Sequence, residues 1–328
     1  MKRYLLEVHG WTQNDGGSKA INDINYFLKK SGFKSIQSPD SKLKKALYLF
    51  TKFPREIKKL SGVIVVQFTG GKLQRRIADV IKKNKNLKLI YIIHDLEALR
   101  YNSDNHDPQL MQEEINLMKN ADGIVSLSQP MTDWLRKQGV KGEISNLGMW
   151  DYFTTNPFVN ESSYNCTVCF AGNLNKSEFL KTYNGNQKIS CYGTLDDKEL
   201  PSNLTYKGAF SPENLSQKIQ ENFGLIWDGD SSNTCSGKAG EYLKYNSPHK
   251  TALYLSAGIP VIVWKQAAVA EYVKKYHCGI LINNLDEISI KLNDITRDNY
   301  LELVRNARLV GKQMRSGKFL LSALDKLM

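Results

Sequence analysis

Residues 245–263 read YNSPHKTALYLSAGIPVIV. The segment opens polar, with His249 and Lys250, continues in a short helical pattern, and breaks at Gly258–Ile259–Pro260 before an apolar strand. Pro248 suits the start of the helix, because its missing N–H is not needed there. Lys250 then falls in the first turn, where a cation opposes the helix dipole by about a few tenths of a kcal/mol. That penalty disappears when an anion such as a diphosphate lies between the helix N-terminus and the ammonium group. Asn246 and Ser247 offer capping oxygens or further donors. A lysine pointing into water satisfies the same residues. The break into a buried strand favours the ligand reading, since open α/β sheets present ligands at such strand ends.

The same alternation of strand and helix runs through the whole chain. GVIVVQF (62–68) is a continuous apolar run of the kind buried in parallel sheets. It is followed by a helical pattern, by LKLIYIIHD (87–95), by another helix, by DGIVSLS, and by a helix with Pro130 in its first turn. A first strand, KRYLLEVHG, precedes the loop NDGGSKA (14–20) and a helix that stops at Gly32. The basic stretch 41–59 is interrupted by Pro54 and reads as surface. The pattern loosens at 146–160, NLGMWDYFTTNPFVN, which marks a domain boundary. Beyond it TVCFAGNL, KISCYG, LTYKGAF, NFGLIWDG, IPVIVW and GILIN restart the alternation. The expected architecture is α/β: two Rossmann-like doubly wound parallel-sheet domains facing a cleft. The domains are 1–150, which presents the acceptor, and 151–305, which holds a nucleotide donor. Residues 306–328 form a C-terminal helix packing back on the first domain. The alternative for its apolar face (Phe319, Leu320, Leu324, Leu327) is an acidic membrane.

Composition sets the outer limits. The 328 residues suit two domains. Forty-five Lys and Arg against 33 Asp and Glu give +12, which favours an anionic partner or a lysine-rich surface. The lysines are dispersed and no nucleic-acid-binding motif appears, so nucleic acid is not expected as a partner. No secretory h-region follows the N-terminal Lys2–Arg3, and no window approaches a membrane span of about 20 residues. The expected location is the cytoplasm, with the inner membrane face left open, as is a homo-oligomer. Cys166 and Cys169 form a C-x-x-C within a strand-like run lacking a second pair, so zinc is not expected.

Several loops carry candidate chemistry. Gly16, Gly17 and Ser18 follow the first strand and permit close backbone approach to an anion, with a plain tight turn as the lesser alternative. The spacing is neither a P-loop nor G-x-G-x-x-G, which weakens a NAD-dependent dehydrogenase. Gly172, Asn173 and Lys176 end a strand in FAGNLNK, where backbone and lysine can meet a diphosphate, or Asn173 and Ser177 can cap a helix. His94 and Asp95 end LIYIIHD, where a carboxylate beside an imidazole can take a proton from a hydroxyl. Asp95 is the first choice of base, ahead of Glu97. Asp228–Gly229–Asp230 imitates a metal-binding D-x-D, but it lies within the second domain and reads as a loop beside the donor.

The order of GLIWDG, SPHKTALYLSAGIPVIV and AEYVKKYHCGILI resembles the nucleotide-binding half of GT-B glycosyltransferases. More closely, the chain is similar to a bacterial group with two kinds of member. One is the glucosyltransferases that extend N-acetylglucosamine on serine-rich-repeat adhesins, and the other is the β-1,6-galactofuranosyltransferases. The likeness covers nearly the whole chain, including IIHD, GMWD, FAGN and GLIWD.

The resemblance implies a UDP-sugar donor, no metal cofactor, and a glycan, glycoprotein or lipid-linked acceptor. It makes Lys250 the diphosphate-binding lysine and Lys176 a second cation on the nucleotide side. Phe210 falls where the family stacks a Tyr by the uracil, and Ser18 where a small hydroxyl residue meets the donor. Glu271 either accepts from a ribose or sugar hydroxyl or caps its helix. Gly17, Gly172, Asn173, Asp228, Asn246 and His249 complete the donor set, with Glu97 and Arg100 toward the acceptor. The acidic pair of many retaining GT-B enzymes is replaced by Tyr245 and Leu253, so inversion by one base is expected. SPHK, NDGGSK and HDLEALR look more like the galactofuranosyl members than the glucosyl ones. A non-catalytic nucleotide-sugar-binding partner of another transferase stands as the competing class.

Overall fold

The computed structural model describes residues 1–328 apart from 8–15, 40, 72, 101–107, 160–162 and 197–199, and the side chain of residue 42. Residues 8–10 of the first strand reading and Asn14–Asp15 of the first loop lie outside the described residues. The chain forms two compact units. The first takes the N-terminal strand, Gly17–Leu147 and Phe319–Met328; the second takes Gly148–Lys318.

The first unit is built on β1 (Arg3–Glu7), β2 (Lys34–Gln37), β3 (Gly62–Phe68), β4 (Leu87–Ile93), β5 (Gly123–Ser126) and β6 (Glu143–Asn146). They lie in the order β2-β1-β3-β4-β5-β6, every pair parallel. Val63–Val66 and Leu89–Ile93 are fully or almost fully buried, as continuous apolar strands covered on both faces must be. The order reverses between β1 and β3, the crevice where such sheets take ligands.

Helix Lys42–Ile57 runs through Pro54, which the sequence reading treated as an interruption. Pro54 sits in the last turn and Lys58 N–H still bonds its carbonyl at 3.1 Å. Leu49, Phe53 and Ile57, buried at helical spacing, hold the helix against the unit, so the proline's lost donor is outweighed by packing.

The second unit carries β7 (Val168–Ala171), β8 (Ile189–Tyr192), β9 (Leu204–Gly208), β10 (Phe223–Ile226), β11 (Val261–Trp264) and β12 (Gly279–Ile282). Their order is β12-β11-β10-β7-β8-β9, again all parallel, with the reversal between β7 and β10. Helix His249–Ala257 ends on Gly258, whose φ of 82° few side chains tolerate, and the chain turns at once into β11.

Helix Lys318–Asp325 belongs, from Phe319 on, to the first unit, and helix Arg297–Arg315 to the second. Leu320, Leu324 and Leu327 are buried, Phe319 is nearly so, and Ser145 Oγ donates to Ala323 O at 2.7 Å. The apolar face of this last helix is therefore used inside the first unit and is not offered to a membrane. Leu324→Ala should cost about 2–5 kcal/mol. A drop of several degrees in melting temperature is expected, and an unchanged melt would contradict the packing described.

Candidate active site

Helix His249–Ala257 is anchored to the sheet by Tyr254. Its hydroxyl accepts from Ala171 N–H at 2.7 Å, and its ring lies where any side chain on Gly224 of β10 would sit, 2.2 Å from a Cβ there. This seats the helix across β7 and β10, so its N-terminus meets the point of strand reversal. There the Lys250 ammonium stands 4.3 Å from the Phe170 ring centroid and donates a long hydrogen bond, 3.5 Å, to Trp227 O. A Cβ on Gly172 would come within 3.0 Å of Lys250 Cε, so the glycine makes room for the lysine. Burial pulls the Lys250 pKa down, while Asp228 and then Cys235 pull it back. A half-buried ammonium with one weak hydrogen bond is an electrostatic demand for an anion.

Polar atoms near it in the chain are also unpartnered: the hydroxyls of Ser247 and Thr251 can donate to an anion, whereas the Asn246 oxygen only accepts and calls for a donor. Asn246 Oδ1, Ser247 Oγ and Thr251 Oγ1 are buried without a hydrogen-bond partner among the described residues. Asn246 and Ser247 therefore do not act as caps, and Pro248 occupies the cap position. The loop is held from behind: Trp150 Nε1 donates to Ser247 O at 2.7 Å, and the Tyr152 ring packs 5.3 Å from that of His249. Tyr152 OH donates to Pro212 O at 2.9 Å. Trp150 and Tyr152, read from sequence only as boundary residues, are a wall of the site. Two large aromatics in a Gly- and Pro-containing linker were the available signal.

Gly172, Asn173 and Lys176 follow β7 at the same edge. Asn173 makes no side-chain cap, and Lys176 is exposed in the short turn Leu174–Lys176. Asp228 follows β10 and accepts from Gly229 N–H at 2.9 Å. Asp230 is held by the Ser236 hydroxyl. No group of three or more metal-ligating side chains occurs among the described residues. Phe210 follows β9, two strands from the reversal, beside Tyr192 at 6.3 Å and under the Lys218 ammonium at 5.7 Å. Glu271 is exposed in the first turn of helix Ala270–Tyr276, where Val269 is the cap residue. Neither Phe210 nor Glu271 is brought against Lys250. Burial pushes the thiols of Cys191, Cys235 and Cys278 up to about 12, so they stay protonated and are poor nucleophiles.

In the first unit Gly17 and Ser18 lie in the first turn of helix Gly16–Lys30, not in a loop, and Ser18 is buried. His94 and Asp95 follow β4. His94 Nε2 meets Gln67 Oε1 at 2.8 Å, and Gln67 Nε2 bonds Asn25 Oδ1 at 2.7 Å and Ile21 O at 3.2 Å. A carbonyl only accepts, so Ile21 fixes the amide of Gln67 and turns its oxygen toward His94. His94 therefore donates from Nε2 and keeps its basic lone pair on Nδ1. Burial lowers its pKa to about 4, so it is neutral at physiological pH and too weak a base to lead. Asp95 is half-exposed, and Arg100 stands 3.8 Å from both it and Glu97.

Behind them lies buried Glu114, which sequence reasoning missed. Its carboxylate accepts from Ala98 N–H at 2.7 Å, and burial, aided by Glu97 and Asp95, raises its pKa to about 7. Gln67 was a visible signal, as the one polar residue inside GVIVVQF; Glu114, on a charged helix 16 residues from Ala98, had none.

The two reversed sheets and their strand-end sites define a GT-B glycosyltransferase. Residues 2–149 match the N-terminal domain of the Glucosyltransferase 3-like family and residues 168–327 its C-terminal domain, so the chain belongs to that family. It is 27% identical over 267 residues to beta-1,6-galactofuranosyltransferase WbbI of Escherichia coli, covering 80% of this chain and 78% of the relative. It is 28% identical over 336 residues to Glucosyltransferase 3 of Streptococcus gordonii, covering 97% and 96%. The fold matches Anabaena HepE in complex with UDP with a TM-score of 0.62 at 13% identity, covering 100% of this chain and 99% of that one. It also matches WaaG, a glycosyltransferase of lipopolysaccharide biosynthesis, with a TM-score of 0.60 at 12% identity, covering 98% of each.

The His94 and Glu114 shifts have opposite consequences for stability. Between pH 6.5 and about 4 the unfolded chain binds a proton at His94 that the folded chain refuses, so stability falls as pH falls. Between pH 4.5 and about 7 the folded chain keeps a proton on Glu114 that the unfolded chain has released, so stability falls as pH rises. Glu114→Gln removes the second slope. Its urea midpoint should climb more steeply from pH 4.5 to 6.5 than that of the wild type, and parallel profiles would contradict the assignment.

Proposed function

We propose that the protein transfers a hexose from a UDP-sugar to a hydroxyl of a glycan acceptor, with inversion and without a metal ion. The observation that carries the reading is Lys250 at the strand reversal of the second unit, with the unpartnered hydroxyls of Ser247 and Thr251 near it in the chain. A uridine diphosphate would supply the anion this group lacks, with Lys176 as a second cation and Phe210 toward the base. HepE, with the same fold, is described in complex with UDP and with UDP-glucose, which supports this donor class.

In the transfer, the acceptor oxygen attacks the anomeric carbon as the bond to the β-phosphate oxygen breaks, and that oxygen keeps the electron pair. Asp95 takes the acceptor proton, while Lys250 balances the charge gathering on the leaving UDP. His94, neutral and held by Gln67, receives or orients the hydroxyl beside Asp95. Arg100 and Glu97 flank the acceptor side. With a lysine at the diphosphate and Asp230 engaged by Ser236, charge neutralisation needs no divalent ion.

Galactofuranose is the favoured sugar. The SPHK, NDGGSK and HDLEALR segments support it, as does the likeness to WbbI. The second reading is glucose delivered to an N-acetylglucosamine-bearing protein; the family description and the streptococcal relatives support the glucose, not the acceptor. Location at the cytoplasmic face is part of the proposal.

Thermal shifts with UDP, UDP-galactofuranose, UDP-glucose and NAD in EDTA test the donor. Stabilisation by UDP and one sugar nucleotide is expected, and none by NAD. Asp95→Asn should lower transfer by about 10²–10⁴-fold with UDP affinity unchanged. Full transfer by that variant removes Asp95 from the mechanism, and the absence of any UDP response removes the donor reading.

A further inference from the structure

Helix Lys42–Ile57 has two apolar faces. Leu49, Phe53 and Ile57 are buried in the first unit. On the other side Leu43, Leu47 and Phe50 are 86%, 67% and 62% exposed. Their spacing of four and three residues places them on one stripe of the helix. Three large aliphatic or aromatic groups aligned in solvent are a surface with a purpose, not scattered exposure.

The stripe leads into a basic cavity. Pro54, the next position along it, lines a space of about 500 Å³ together with Lys58, Arg76, Val80, Lys83 and Lys85. The Arg76 guanidinium lies 4.6 Å from the Phe50 ring centroid, joining stripe to cavity. Asn84, which donates to Ile57 O and Leu60 O at 2.7 and 2.8 Å, holds the cavity's shape. Lys58, Lys83 and Lys85 make no ion pair among the described residues. Of the neighbouring carboxylates, Glu56 accepts from Tyr48 OH at 2.5 Å, Glu113 pairs with Arg75, and Asp122 pairs with Lys82. Asp79 is exposed on helix Leu73–Lys82 and does not line the cavity.

We propose that this face docks the protein on an anionic lipid bilayer, with Leu43, Leu47 and Phe50 entering the headgroup–acyl boundary and the cavity receiving a lipid phosphate. Apolar side chains beside a group of cations match a surface whose charge is negative and whose interior is apolar. A second copy of the chain could cover the apolar stripe by a self-complementary contact, but this face would bring no free carboxylate to the four cations, since those near them are already engaged. The proposal does not depend on which sugar is transferred.

The test is co-sedimentation of the full chain with vesicles of phosphatidylcholine alone and of phosphatidylcholine with phosphatidylglycerol, at low and high salt. Binding is expected on the anionic vesicles only, weakening as salt rises. The combined variant L43S/L47S/F50S should lose at least about tenfold in partitioning. Lys83→Gln and Lys85→Gln should each lose about fivefold. All these side chains lie on the surface, so circular dichroism and UDP response should match the wild type. Equal binding by the variants, or no binding to anionic vesicles, overturns the proposal. Light scattering that shows the combined variant falling from an oligomer to a monomer also overturns it, and assigns the stripe to contact between copies.

Discussion

A single ammonium group, brought into a partly dehydrated position, organises the second unit. Lys250 stands at the strand reversal because Tyr254 fixes its helix to β7 and to the space above Gly224, and because Gly172 leaves room for the side chain. Burial opposes its charge and Asp228 restores part of it. The environment therefore holds a cation whose best partner is absent from the polypeptide. Such an arrangement costs the folded unit stability, and the proposed diphosphate would offset that cost. Trp150 and Tyr152 keep the loop from relaxing out of that position.

The first unit solves a different problem. It presents a carboxylate at the end of β4 and surrounds it with groups whose protonation is fixed by burial. Gln67, tied to Asn25 and Ile21, sets the tautomer of His94. Glu114 accepts from the backbone of the short helix Glu97–Arg100, and so joins the turn carrying Asp95, Glu97 and Arg100 to helix Pro108–Asn120. The turn carrying Asp95 thus rests on a scaffold of buried polar residues, Gln67, Asn25 and Glu114 among them.

Much of this was legible before any coordinates. Continuous apolar runs such as GVIVVQF and IPVIVW read correctly as buried parallel strands, the positions of Gly172 and His94–Asp95 after strands followed from the alternation, and Lys250 was read in the first helical turn, where it lies. Two edge strands were harder. β2 (KSIQ) and β6 (EISN) are four-residue edge strands with one apolar residue each, too few to show a period, whereas the edge strands β9 and β12 carry enough to be read. The proline rule failed at Pro54, where packing of Leu49 and Phe53 outweighs a lost donor. Glu114 could not be found from sequence, since its importance arises only where two segments meet. The stretch 41–59 was visibly basic, but the alignment of Leu43, Leu47 and Phe50 outside the core needed the helix's orientation.

The central claim is that Lys250 and its helix N-terminus hold a diphosphate. Calorimetric titration of the wild type and Lys250→Met with uridine, UMP and UDP tests it most directly. The account predicts affinity rising steeply from uridine to UDP in the wild type. In the variant UDP should lose at least about tenfold, while uridine binding is unchanged. Equal affinity for uridine and UDP, or an undiminished UDP affinity in Lys250→Met, would contradict it.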